Sequence, residues 1–170
     1  MTILDLSTAI EMGLASDKPH QAPQIIYRSH ADNAETVAKA YGVTKDELPY
    51  GIGWANETIT LASHSGCHMD APWHYFPTRN KGEPSRTIDQ VPLEYCFSDG
   101  VHLDFSQWDP RKIIHADDIR RVLDQMEYQL KPLDIVLLES GAAPHFGQPD
   151  YTSYGAGVRD EATVWLMEQG

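Results

Sequence analysis

The residues of this chain best suited to chemistry lie in one run, Ser63-His64-Ser65-Gly66-Cys67-His68-Met69-Asp70-Ala71-Pro72-Trp73-His74. It holds three of the eight histidines and one aspartate, with His64, His68, Asp70 and His74 separated by four, two and four positions. Imidazole nitrogen and carboxylate oxygen are the commonest donors to a borderline divalent ion. A regular helix would put His64 and His68 on one face but turn Asp70 away, and Gly66 and Pro72 both disfavour it. A straight strand would give the four residues one face, yet it would hold His64 and His68 roughly 13 Å apart, too far for one ion. The run is therefore expected to leave a strand and curl, with Gly66 allowing the bend and Pro72 stiffening the exit. The bland alternative is a polar loop with incidental histidines, and the density and spacing of donors favour the metal site.

Three protein ligands, His64, His68 and Asp70, would leave a position for water or substrate, as in catalytic rather than structural sites. An ion such as Zn²⁺ lowers the pKa of bound water to about 7 and polarises a carbonyl. His74, beyond the proline, is then placed as a general base, with a fourth ligand as its alternative role. Cys67 has the opposite parity and is read as a packing residue. His20 and His30 lie in polar surroundings, His102 alternates outward on a strand, and His115 stands near a helix N-cap. His145, in a long Gly/Pro loop, is the remaining histidine with a chance of lying near the site. Trp54, Trp73 and Phe76 bracket the run and would line an aromatic pocket or belong to the core. No phosphate-cradling loop and no Gly-x-Ser-x-Gly element is present.

These residues need elements to hold them. Alternation predicts strands over Ile3 to Ser7, Glu57 to Ser63 and Gly100 to Phe105, with Val101, Leu103 and Phe105 as an apolar face. Ile25 to Tyr27 is a further short strand, and the Glu57 strand feeds directly into the histidine run. Asp32 to Tyr41 reads as a helix stopped by Gly42, and Thr44 to Glu47 as a capping box. Phe76 to Ser85 reads as an exposed loop. Ala116 to Leu130 is the strongest helical pattern, with Ile119, Val122, Leu123, Met126 and Leu130 on one stripe and Asp117 and Asp118 in the first turn. The apolar run Asp134 to Glu139 predicts a strand covered on both faces. A long loop, Gly141 to Gly157, precedes a last helix, Arg159 to Gln169, with Ala162, Trp165 and Leu166 inward and Gly170 at its stop. The class is mixed α/β.

With 170 residues the length predicts one domain, and 41% hydrophobic with 22% charged residues is ordinary for a globular chain. A net charge of −12 argues against nucleic-acid and anionic-membrane partners. The N-terminus lacks the basic and apolar regions of a signal peptide, and no apolar run approaches a membrane span. Two cysteines, Cys67 and Cys96, make no disulfide framework, which fits free thiols in a reducing cytoplasm.

The run resembles the motif of the cyclase family of metal-dependent hydrolases, which includes bacterial kynurenine formamidase and isatin hydrolase. That motif is His-x-Gly-Thr-His-x-Asp-x-Pro-x-His, and the chain departs from it only at Cys67. The likeness extends through Asp5-Leu6-Ser7, the Gly100 to Asp104 strand, Asp134-Ile135-Val136-Leu137 and Glu161-Ala162-Thr163-Val164-Trp165-Leu166. The resemblance implies a mixed sheet or barrel flanked by helices, in a swivelling β/β/α arrangement. It implies His64, His68 and Asp70 as ligands of Zn²⁺ or Mn²⁺ and His74 as base. It further implies a homodimer or homotetramer that uses metal-activated water to hydrolyse a small-molecule formamide, amide or lactone. Family members continue past the point matching Gly170 with a further histidine and glutamate, so residues 1–170 are expected to form one cyclase domain lacking its C-terminal part. The functional expectation is an arylformamidase-like hydrolase, and its alternative is a non-catalytic metal-binding remnant.

Overall fold

A computed structural model describes residues 3–170. The chain divides into two compact units, Met1–Met69 and Asp70–Gly170. In the first unit, β1 (Gln24–Arg28) and β2 (Asn56–Thr60) pair antiparallel with Ile25 opposite Ile59. Helix α1 (Ala34–Tyr41) buries Ala34, Val37 and Ala38 and ends on Gly42 at φ 69°, the expected stop. Thr44 and Glu47 form the expected capping box, the Glu47 carboxylate accepting the Thr44 N–H at 2.7 Å. The buried Asn33 donates from Nδ2 to the Trp54 carbonyl at 2.9 Å. A Cβ on Gly53 would stand 2.9 Å from both the Asn33 carbonyl oxygen and Val37 Cγ2, so only glycine lets these segments approach.

The strand expected over Ile3 to Ser7 does not form. The Asp5 carboxylate instead accepts the Ser7 N–H at 2.9 Å and the Ser7 hydroxyl at 2.6 Å, a local turn that competes with strand pairing. Strand β2 is also shorter than expected, ending at Thr60.

In the second unit, Pro72 opens the one-turn helix α2 (Pro72–Tyr75). The segment read as an exposed loop folds into a small hairpin, β3 (Thr78–Arg79) with β4 (Glu83–Pro84), turning through Asn80 and Lys81 at positive φ. The main sheet pairs β5 (Gly100–Asp104) with β7 (Ile135–Glu139) in parallel, Leu103 beside Leu138. Parallel neighbours need a long crossover, and residues 105–134 supply it through α3 (Ala116–Gln125). A second parallel pair joins β6 (Ile113–Ile114) to β8 (Gly157–Val158), which leads into α4 (Asp160–Glu168).

The core of this unit is Val101, Leu103 and Phe105 from the β5 face, closed by Ile114, Ile119, Leu123 and Ala162, with Trp165 and Leu166 packed against it. The face of β5 and the inward side of α4 are as expected. Two expectations are corrected. Helix α3 stops at Gln125 rather than Leu130, because Glu127 adopts φ 52°. The Tyr128 N–H then bonds the Leu123 carbonyl at 3.0 Å and the Glu127 N–H the Asp124 carbonyl at 3.1 Å, a Schellman termination. Strand β7 is covered on one face rather than two: Val136 and Leu138 pack on the core, whereas Leu137 is 43% exposed.

The architecture is mixed α/β, with small antiparallel and parallel sheets flanked by helices, consistent with a cyclase-like swivelling fold. No closed barrel forms among the described residues. No helix among them is long and apolar enough to cross a membrane. Both cysteines are free thiols.

Candidate metal centre

After β2 the chain turns as the motif required. The Ser65 N–H bonds the Ala62 carbonyl at 3.0 Å, the Ser65 hydroxyl donates to the Gln21 carbonyl at 2.6 Å, and Gly66 bends the backbone at φ 65°. A side chain at that φ would be strained, so Gly66 makes the curl possible. The curl brings His64 Nδ1 and His68 Nε2 to 3.1 Å. Two imidazole nitrogens bound to one tetrahedral ion at about 2.0–2.1 Å would lie about 3.3 Å apart. The observed contact, of hydrogen-bond length, is close to that spacing.

The orientation of His68 is fixed from behind. Its Nδ1 lies 3.0 Å from the Gly66 carbonyl, which can only accept, so Nδ1 carries the proton and Nε2 presents its lone pair. A ligand histidine is ordinarily held by a backbone carbonyl or carboxylate in this way.

Asp70 is half-buried and directly precedes the Ala71-Pro72 entry to α2. The His74 N–H bonds the Ala71 carbonyl at 2.9 Å and the Phe76 N–H the Pro72 carbonyl at 3.2 Å, which closes the turn carrying His74. Pro72, with its fixed φ and no N–H, is well suited to that first helical position. Tyr75 Oη donates to Asp70 Oδ2 at 3.3 Å, and the Tyr75 ring meets His74 edge to face, centroids 5.0 Å apart. Desolvation, then the Asp70 charge and hydrogen bond, raises the Tyr75 pKa, so the hydroxyl keeps its proton and is the donor.

His64, Asp70 and His74 form a group whose ligand atoms all lie within 4.8 Å of one another. Of the four residues singled out in the sequence, the structure thus groups these three and sets His68 against His64. Imidazole, carboxylate and imidazole suit a hard or borderline divalent ion better than a soft, thiolate-seeking one.

Cys67 does not pack in a core. It is exposed, its Sγ accepts the Thr8 N–H at 3.3 Å, and hydrogen bonds from Thr8 lower its thiol pKa. The strand parity behind the packing expectation is lost once Gly66 turns the chain. Sequence reasoning also missed Tyr75. The signal available was Pro72, since a turn begun there places residue 75 at its end beside His74.

Three of the other histidines have partners of their own. His102 Nε2 pairs across the sheet with Glu139 at 2.9 Å, pointing outward as expected. His115 is the N-cap of α3, and its Nδ1 lies 2.8 Å from Glu161, whose carboxylate also accepts the Ala116 N–H at 3.2 Å. Acid at a helix N-terminus is favourable, so Glu161 ties α4 to the start of α3. His145 is held by Asp150 at 3.0 Å and stacks on Tyr154 at 3.5 Å. Trp54, Trp73 and Phe76 are exposed, which excludes the core reading for them.

The mixed α/β chain presents a His–Asp–His donor group of a kind that could hold a divalent ion. The model of the Cyclase family ("Putative cyclase") matches residues 4–170, and the chain belongs to that family. It is similar in fold to a solved isatin hydrolase bound to the product analogue thioisatinate, with TM-score 0.69, 16% identity, and coverage of 98% of this chain and 63% of that one. It is likewise similar to a structure described as a novel cyclase, with TM-score 0.68, 18% identity, and coverage of 96% and 61%. The chain thus spans about three fifths of the length of these two structures. No curated relative matches it.

Proposed function

We propose that this chain serves hydrolysis of an amide, formamide or lactone bond in a small molecule, nearest in type to an arylformamidase. In this reading His64, His68 and Asp70 hold Zn²⁺ or Mn²⁺, and His74 handles the proton. The observation that carries it is the gathering of donors from one short run, with ligand atoms of His64, Asp70 and His74 within 4.8 Å. A bound ion of this kind supplies a water of lowered pKa and a polarised carbonyl.

The chain's own residues do the rest. His68 donates from Nδ1 to the Gly66 carbonyl and so turns Nε2 toward His64, while Asp70 contributes the anionic donor that balances the charge of a cation. His74, on the turn that Pro72 begins, accepts a proton as attack occurs and returns it to the leaving group. Assembly as a homodimer or homotetramer in the cytoplasm belongs to the same proposal. A second reading makes His74 a ligand, and its place within the 4.8 Å group favours that version.

The test joins metal analysis with turnover of N-formylkynurenine, isatin and simple lactones. Bound metal with turnover of one substrate is expected, and it would name the bond attacked. Metal without turnover of any would leave the non-catalytic remnant, and no metal at all would sink both. His74→Ala should retain metal and lose turnover by about 10²–10⁴-fold. Metal loss matching that of His64→Ala would move His74 into the ligand set.

A further inference from the structure

We infer that Tyr75 is a positioning residue of this metal centre, restraining the Asp70 carboxylate through its hydroxyl and the His74 ring through its edge. The inference rests on the metal reading proposed above. Tyr75 has little packing to do, for it is 72% exposed and sits at the end of a single helical turn. A tyrosine so exposed would ordinarily point into water. Here the hydroxyl turns back five residues to Asp70 Oδ2 at 3.3 Å, while the ring lies 5.0 Å from His74 at an interplanar angle of 78°. One side chain thus touches two members of the donor group, and both contacts lie within the unit Asp70–Gly170.

The physical effect is restraint. A carboxylate turns about its terminal torsion, and each hydrogen bond to one of its oxygens narrows that rotation. A hydrogen bond to Oδ2 restricts that rotation before any ion arrives, which lowers the ordering cost of binding. The edge-to-face ring contact restricts the His74 imidazole similarly. The turn that carries the tyrosine is itself preset by Pro72 at its first position.

The experiment titrates the metal-free chain with Co²⁺ and with Zn²⁺ in competition with a chelator. It compares the wild type, Tyr75→Phe, Tyr75→Leu and Asp70→Ala, with the Co²⁺ visible spectrum and the Tm of the metal-free protein recorded for each. Tyr75→Phe removes the hydroxyl and keeps the ring. It should raise the Kd about tenfold, the lower end for loss of an outer hydrogen bond to a ligand, with the metal-free Tm unchanged. Tyr75→Leu should raise the Kd further and alter the Co²⁺ spectrum. A Kd for Tyr75→Phe within twofold of wild type, while Asp70→Ala abolishes binding, would overturn the role of Tyr75 and leave the metal site standing. Wild type that binds neither ion would overturn the metal reading, and this inference with it.

Discussion

The two units place their apolar residues differently. In Asp70–Gly170, strand β5 and helices α3 and α4 turn their apolar stripes onto one cluster, and Leu103, Phe105, Ile114, Ile119 and Ala162 are almost wholly buried. In Met1–Met69 the buried apolar set is Ile25, Ala34, Val37 and Ala38, while Ile26, Tyr27 and Ile59 of its hairpin are each at least half exposed. A two-stranded hairpin with one short helix cannot cover both of its faces. The lesson is that stability and chemistry are drawn from different stretches of this chain. The deep core sits around β5, and the donor run lies between the end of β2 and the first turn of α2.

Phe105→Ala gives the sharpest test of that contrast. Phe105 is fully buried and meets Trp108 edge to face at 4.8 Å, so truncation leaves a cavity and removes that ring contact. A loss of about 3–5 kcal/mol is expected, read by denaturant unfolding followed through tryptophan fluorescence. A loss under about 1 kcal/mol would mean that the β5 cluster is not the core it resembles.

Val37→Ala probes the other side. Val37 is the valine of the α1 stripe, and its Cγ2 packs where Gly53 passes. The expected loss is about 1–2 kcal/mol, from two methyl groups and partial collapse of the space they leave. An effect exceeding that of Phe105→Ala would reverse the comparison.

The smallest effect concerns a turn of the second unit. Asp134 accepts the Lys131 N–H at 3.0 Å and the Tyr128 hydroxyl at 2.8 Å, and the Lys131 backbone contact above all holds its carboxyl below the ordinary range. A carboxyl depressed on folding stabilises the fold above its unfolded value, near pH 4, and that contribution fades as pH falls through the lower folded value. Thermal unfolding of wild type and Asp134→Asn should therefore converge as the pH drops below about 4. A gap that stays constant with pH would show that the carboxylate charge plays no part.

Much of this molecule is legible in its residues, and the failures have physical causes. The β5 face, the inward side of α4, the Gly42 stop and the Thr44–Glu47 box all follow from local pattern and capping. Ile3 to Ser7 alternates like a strand, yet the Asp5 side chain captures Ser7 and no ladder forms. The stripe of α3 runs on to Leu130, which still packs on the core, but Glu127 takes the left-handed position that usually falls to glycine. Periodicity shows which residues turn inward, and it does not show where the backbone leaves the helix. At the site, residue types picked out the histidines and the aspartate of the run, and the Gly66 curl was readable because both regular alternatives failed. Tyr75 was not, since its hydrogen bond depends on the turn that Pro72 creates rather than on any repeat.

The candidate donors His64, His68, Asp70 and His74 all fall within eleven consecutive residues. A denatured chain therefore keeps them within a short tether of one another, and closing so small a loop costs little entropy. An ion that binds the folded protein will also find partners on the unfolded one, and linkage counts only the difference between the two affinities. Adding metal should thus raise the melting temperature by less than its folded-state Kd alone would give. Chelation should strip the ion and leave the β5 core folded, unlike a zinc finger, where the metal itself supplies the folding free energy.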